Sequence, residues 1–512
     1  MTEAIKIIEN GFVVTCDGRN TAGMLTILVK GDRIAEISTR ADLFRTLYPS
    51  AEIIDASGKI LFPGFVDAHY HGESFVLRTF THQHPLSRWG RNQGIRRVSE
   101  YVHGEATAEE LRTLYRTAYF GSLRSGITTV SEYGMETVDA SFSASFDALR
   151  QSEVRGFLAL HNGDQIERAR SAGATGRKFA LVLPHEDDLT TYNLQSAVRM
   201  ARELQWPLVI HYGETRRNFE TIKKNFRKSI VQMLQEYHLF DLPLQITHLA
   251  CIDPGDAEIL AKAGAHVILN SRSVLLKETE TPPVAEFLAK HVPLVLATDW
   301  GSPDPLANIQ SFLTLCRATG APVPSPFDLL RMHTINAAKV LRMHQEIGSL
   351  EPGKKADVTF LDVSDPGIHG FLQVSDPASV LSLVLFEMSA RDVSDVMISG
   401  EFFVRSGQIL TYSEEDLVKG TKDLVQRLQG LIPSRRDAAV VDEETGVRSP
   451  AAPVETAGGE GLDQMDEGFR VVHRLRPPTE EPQSNILPLP PPAPRPSELP
   501  KDVRKVFGED EL

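Results

Sequence analysis

The sequence predicts an α/β chain in which a parallel (β/α) barrel interrupts a smaller β domain, with a tail that stays outside the packed core. Three observations predict it. Between about residues 59 and 347, short apolar strand patterns alternate with helix patterns, as parallel strands joined by crossover helices require. On either side of that region strand follows strand, separated by turn pairs. Beyond about Pro433 the composition turns to acidic patches, glycines and prolines, which cannot bury enough apolar surface to fold.

Composition narrows the function. With 512 residues the chain has room for a barrel and at least one more domain; a full barrel takes about 250 residues. A formal charge of −14 and an isoelectric point near 5.6 leave no basic footprint for nucleic acid or an anionic membrane. No run approaches the ~20 apolar residues of a membrane helix, and the start, Met1 to Ile8, lacks the pattern of a secretory signal. The three cysteines, Cys16, Cys251 and Cys316, have neither metal-binding nor disulfide spacing. A reducing, cytoplasmic location is expected.

Taken in order, residues 1–58 form the first part of the β domain, with strands expected at Ile5–Ile8, Phe12–Thr15, Thr26–Lys30, Arg33–Ile37 and Glu52–Asp55. Asn10-Gly11, Asp17-Gly18 and Gly31-Asp32 mark turns between them. Residues 59–347 form the barrel, with strands expected at Ile60–Asp67, Thr128–Glu132, Gly156–Leu160, Phe179–Leu183, Pro207–Ile210, Gln245–Thr247, His266–Leu269 and Leu294–Ala297. Helices between them include Ala108–Arg124, Leu189–Leu204, Phe219–His238 and Pro283–His291. The β domain resumes over 348–412. A helix follows over 413–432, opened by Ser413 as a cap. Residues 433–512 read as a disordered, acidic and proline-rich tail. Its run Leu487–Pro496 suits local polyproline II, either as an unconstrained segment or as an arm for an SH3-like protein partner. Deleting the tail is expected to leave melting temperature and turnover nearly unchanged. A large fall in either would show that it packs onto the barrel.

The chemistry begins where an apolar run ends in His69-Tyr70-His71. The side-chain period of a strand is two, so His69 and His71 point to the same side. Two imidazoles at a strand's end can share one metal ion; the bland alternative is two unrelated histidines. Similar strand ends carry His211, with Glu214 three residues on, then His248, then Asp299. A parallel barrel gathers such groups at the carboxyl ends of its strands. A core histidine is the alternative for His211. A carboxylate directly after a buried apolar run, such as Asp299, is costly unless paired or metal-bound, so a structural salt bridge is its alternative.

The run Pro63-Gly64-Phe65-Val66-Asp67-Ala68-His69-Tyr70-His71 resembles the first barrel strand of the amidohydrolase superfamily, and the later histidines and carboxylates follow in that family's order. The resemblance extends to about Gln408, roughly the first four-fifths of the chain. It implies a (β/α)8 TIM-like barrel with a small β-sandwich built from both chain ends. The pattern is similar to the mononuclear branch, that of cytosine, guanine and adenosine-type deaminases and triazine hydrolases. By that resemblance His69, His71, His211 and Asp299 would bind one divalent transition metal, Zn²⁺ or alternatively Fe²⁺, and the donor types suit either ion. His248 would hold the attacking oxygen and the reacting centre rather than ligate. No lysine ends the fourth strand, where binuclear members carry a bridging one, so a single metal is implied.

The implied reaction is hydrolytic deamination of a purine-, pyrimidine- or triazine-like ring. A divalent metal makes water nucleophilic near neutral pH, Asp299 accepts a proton, and Glu214 protonates a ring nitrogen and helps the amine leave. Dechlorination or cyclic-amide opening on such a ring is the alternative, and a non-catalytic binding barrel is a third reading. The partner implied is a small heterocycle, and a homo-oligomer is expected. Arg78 and His185 stand where relatives place substrate contacts. Arg272 would meet a substrate carboxylate or phosphate, or else pair with Glu278 or Glu280. The chain departs from the family at Leu269-Asn270-Ser271-Arg272-Ser273, where relatives read His-Cys-Pro-x-Ser-Asn, and at Trp300, where many carry glycine.

Overall fold

The computed structural model describes residues 4–134, 139–171, 179–364, 366–370, 376–432, 440–441 and 448–449. One mixed sheet of nine strands is built from both sides of the barrel region. Its first five strands are β1 (Ile5–Val14), β2 (Ala22–Lys30), β3 (Arg33–Ser38), β4 (Glu52–Asp55) and β5 (Lys59–Pro63). The barrel follows as β6 (Phe65–Tyr70), β7 (Ile127–Glu132), β8 (Arg155–Leu160), β9 (Phe179–Val182), β10 (Leu208–Tyr212), β11 (Leu244–His248), β12 (Val267–Leu269) and β13 (Leu294–Leu296). β14 (Val358–Asp362), β15 (Val393–Ile398), β16 (Glu401–Arg405) and β17 (Gln408–Ile409) then complete the first sheet.

The joint between the two sheets was not visible in the apolar run. Ile60–Asp67, expected as one strand, is two strands in two sheets: β5 pairs antiparallel with β14, and β6 pairs parallel with β7. The break falls at Gly64, where a Cβ would stand 2.2 Å from Thr128 Oγ1. Only glycine lets the backbone pass β7 that closely. In the other direction, Ile5–Ile8 and Phe12–Thr15 are one strand. Asn10 at φ 64° makes a bulge, and the register against β2 shifts between Ile8 and Gly11.

The nine-stranded sheet contributes to a core of its own and to one shared with the barrel through residues such as Phe12, Val14, Phe62 and Val396. Ile8, Val13, Ile27, Val29, Leu61, Val358, Phe360 and Met397 pack together on the nine-stranded sheet. A larger cluster joins the barrel strands to the surrounding helices. The helix Ala108–Arg124 shows why such helices form. Thr107 and Glu110 close its first turn as a reciprocal cap, and Leu111, Leu114, Tyr115, Ala118 and Leu123 bury a stripe at three- and four-residue spacing. The helix Glu414–Gly430 lies against it, with Thr421 Oγ1 2.7 Å from Thr117 Oγ1 and Arg427 paired to Glu110 at 2.8 Å. Arg155 at the start of β8 ties the barrel to the other sheet through Asp357 at 2.6 Å.

Two expected elements differ. Phe219–His238 is two helices, Arg216–Phe226 and Ile230–Glu236, because Arg227 turns left-handed at φ 58° and Ser229 caps a new start. Between β14 and β15, inside the region 348–412 where the β domain was expected to resume, the apolar run after Pro377 is not a strand. Asp376 caps a helix, Pro377–Glu387, that buries Val380, Leu381, Val384 and Leu385. Beyond Ile432 the described residues form one short antiparallel pair, Val440–Val441 with Arg448–Ser449; the rest of the expected tail lies outside the described residues.

Candidate active site

The barrel closes at the place the sequence marked. Tyr70 bridges Asp299, His71 N donates to Asp299 O at 3.1 Å, and Asp299 N donates to His69 O at 3.0 Å. His69 and His71 on β6 and Asp299 after β13 therefore share the seam where the first and last strands meet. His211 is the last residue but one of β10, and His248 ends the neighbouring β11 opposite Tyr212. His248, Leu249 and Asp299 hold left-handed backbone, with φ of 76°, 47° and 54°. None is a glycine, and strain of this kind concentrates at functional sites.

The side chains converge. His69 Nε2 lies 3.4 Å and His71 Nε2 3.3 Å from Asp299 Oδ1. His211 Nε2 and His248 Nε2 are 2.9 Å apart. One atom from each of His69, His211, His248 and Asp299 lies within 4.8 Å of the others. This tightest set contains His248 where the resemblance implies His71, yet His71 faces the same carboxylate oxygen.

The donors fit a cation. His69 Nε2 and Asp299 Oδ1 are buried without a hydrogen-bond partner, which folded proteins rarely tolerate. Burial lowers the pKa of His69 to about 4 and takes His211 and His248 below the ordinary histidine value. These imidazoles are neutral near pH 7 and have lone pairs to give. Nitrogen and carboxylate donors in this number suit a divalent metal ion. Glu73, which the sequence reading passed over, sets the tautomer of His71: its buried Oε1 lies 3.3 Å from Nδ1 and leaves Nε2 to face Asp299.

Lys277 was also missed. Asp299 Oδ2 accepts from Ser273 Oγ at 2.5 Å and from Lys277 Nζ at 2.7 Å, and the same ammonium lies 2.5 Å from Glu214 Oε1. Burial alone would lower the Lys277 pKa, but the two carboxylates raise it above the usual value. Burial would likewise raise Glu214 and Asp299, and Lys277 instead holds both below the usual carboxylate range. Ser273 and Lys277 are four apart on the helix Ser271–Lys277, hence on one face. That spacing after the seventh barrel strand was the available signal. Removing one partner of a buried ion pair costs about 3–5 kcal/mol. Metal-free Lys277→Met should lose stability of that order in urea unfolding; an unchanged midpoint would show that the ion pairs stabilise nothing.

A cavity of about 280 Å³ opens over the cluster, lined by His71, Tyr133, His185, His211, Glu214 and Trp300 among others. A larger cavity, about 670 Å³, lies by the start of β8 and has none of these histidines, so chemistry rather than volume selects the smaller one. His185 reaches this wall, with Nε2 3.4 Å from Glu186 Oε2. Arg78 and Arg272 are not among the lining residues. Arg78 donates to the Phe75 carbonyl and lies over the Phe75 ring at 3.7 Å. Arg272 donates its backbone N–H to Asn308 Oδ1 at 3.0 Å. Its guanidinium pairs with neither Glu278 nor Glu280 among the described residues. The second His-x-His, His82 to His84, follows a helix, Ser74–Thr81, and leads into two more, Leu86–Trp89 and Gln93–Glu100. Trp89 packs on Trp300 at 4.9 Å, and Trp300 lies 5.7 Å from the His71 ring.

The family profile for amidohydrolases matches residues 60–403, a span that contains every residue of this cluster. The chain belongs to the amidohydrolase family. This amidohydrolase is 27% identical over 438 residues to the 5-methylthioadenosine/S-adenosylhomocysteine deaminase of Desulforudis audaxviator, covering 82% of this chain and 98% of that one. It superposes on a zinc-bound adenosine deaminase from Xanthomonas campestris with a TM-score of 0.74 at 21% identity, over 83% and 99% of the two chains. The zinc complex of an atrazine chlorohydrolase from Arthrobacter aurescens gives 0.70 at 19%, over 82% and 100%. These solved structures share the barrel and its flanking sheet.

Proposed function

We propose that this amidohydrolase removes an amino group, as ammonia, from a nitrogen heterocycle. One observation carries the reading: a cluster of neutral imidazoles and one carboxylate shares its cavity with Glu214, a second carboxylate positioned beside the cluster and anchored on Lys277. The relatives named as deaminases support the same reaction.

In this reading His69, His71, His211 and Asp299 hold one divalent ion, Zn²⁺ in preference to Fe²⁺. A metal there supplies a Lewis acid and lowers the pKa of water. Asp299 stands ready to take a proton through Oδ1, since Oδ2 is committed to Ser273 and Lys277. Glu214, held ionised by Lys277, first takes up a proton released by the attacking water and passes it to the ring nitrogen; the water's second proton, taken by Asp299, leaves with the amine as ammonia while the water oxygen stays on the ring carbon. His248 acts as a donor. The amide of Asn270 lies 3.4 Å from its Nδ1, and an N–H given to Nδ1 places the imidazole proton on Nε2, facing the reacting centre. Cytoplasmic residence fits three buried free thiols, Cys16, Cys251 and Cys316.

The test is metal analysis of the purified protein with ammonia release from amino-purines, amino-pyrimidines and amino-triazines. About one zinc per chain and ammonia from at least one ring are expected. Full metal occupancy with chloride release, ring opening or no turnover in place of ammonia would overturn the reading.

A further inference from the structure

Resting on the aminohydrolase reading, we propose that the cavity selects uncharged or cationic amino-heterocycles and rejects those that carry a phosphate or carboxylate. The charge of the wall points to this. Glu73, Glu186 and Glu214 all line the cavity, and no arginine or lysine does among the described residues. Glu73 is buried, and its Oε2 has no hydrogen-bond partner. An unpartnered acceptor buried beside a substrate cavity adds negative charge that no N–H or O–H of the protein offsets. Glu186 is also buried, held by Gly213 N at 2.9 Å and Asn218 Nδ2 at 3.0 Å.

Three nearby cations are engaged elsewhere. Lys277 lies between Glu214 and Asp299, Arg217 pairs with Asp187 at 2.9 Å, and Arg78 is turned onto Phe75. Even with Lys277 and a divalent metal counted, the carboxylates of Glu73, Glu186, Glu214 and Asp299 leave the site negative. An anionic substituent would enter against that charge and find no arginine or lysine on the cavity wall among the described residues. Like charges brought together in an interface cost several kcal/mol, enough for a discrimination of about 100-fold or more. The volume, about 280 Å³, sits at the small end of the ~300–1,000 Å³ usual for ligand sites, which also suits a base or nucleoside without long appendages.

The experiment compares kcat/KM for ammonia release by the zinc-loaded full chain within matched series. These are adenosine, guanosine and cytidine each against its 5′-monophosphate, with the free bases alongside. In whichever series turns over, the anionic member should be slower by about 100-fold or more. Glu73→Gln should narrow that ratio about tenfold, a change that a purely structural role for Glu73 would not produce. Equal or faster turnover of a phosphate-bearing member would overturn the proposal while leaving the aminohydrolase reading intact. An unchanged ratio in Glu73→Gln would remove Glu73 from it. Ammonia from no member of any series would sink the aminohydrolase reading, and this proposal with it.

Discussion

Glu214→Gln is expected to keep its metal and its fold while kcat falls by about 10²–10⁴, the usual contribution of one general acid/base, with KM changed far less. The reason lies in where Glu214 stands. It follows the buried strand that carries His211, lines the cavity, and is held by Lys277 at 2.5 Å. Gln retains the size and can still meet the ammonium through its amide oxygen, but it cannot deliver a proton. Because the charge on Lys277 would then be balanced by Asp299 alone, a small change in melting temperature is compatible with the role. The decisive measurements are steady-state rates on a confirmed substrate and metal content by elemental analysis. Near wild-type turnover would remove Glu214 from proton transfer. Inactivity that came together with metal loss would make it a ligand or a structural partner instead.

The strand-end residues were legible because each follows an apolar run whose burial makes a histidine or carboxylate conspicuous, and because strand periodicity fixes which neighbours share a side. His69, His71, His211, His248 and Asp299 all come together as that logic requires. What stayed hidden depends on contacts far apart in the chain. Nothing between Ile60 and Asp67 signals a change of sheet, since the break at Gly64 is imposed by Thr128 on the neighbouring strand. Nothing in the sequence around Lys277 marks it, and only the packing of its helix brings it to Glu214 and Asp299. Glu73 gave no signal until its carboxylate was seen against His71 Nδ1. The apolar segment after Asp376 was ambiguous in principle, because a short continuous run fits a buried strand or helix equally. Its cap and first-turn proline were the features that decide it. Arg78 shows the limit of positional resemblance. The residue type is present, but its guanidinium is occupied by Phe75.

Replacing both His69 and His71 by Ala should remove the metal and the activity together while the nine-stranded sheet stays folded. Both histidines lie on β6 at the closing seam, and both face Asp299 Oδ1. The nine-stranded sheet has its own core, from Ile8 to Met397, which contains neither histidine. Loss of two of the four proposed ligands leaves His211 and Asp299, too few to complete the four-coordinate shell typical of a zinc site. Elemental analysis after dialysis, activity, and circular dichroism read the three consequences separately. Full metal occupancy in the double variant would sink the ligand assignment. Single variants then separate the two possible sets. If His71 ligates and His248 acts as a donor, His71→Ala should lose most of its metal, and His248→Ala should keep it but turn over slowly. If the tightest geometric set, His69, His211, His248 and Asp299, is the true shell, those two outcomes reverse. The arrangement at His71 favours the first result. Glu73 fixes its proton on Nδ1 and leaves the Nε2 lone pair directed at Asp299, as an oriented ligand requires.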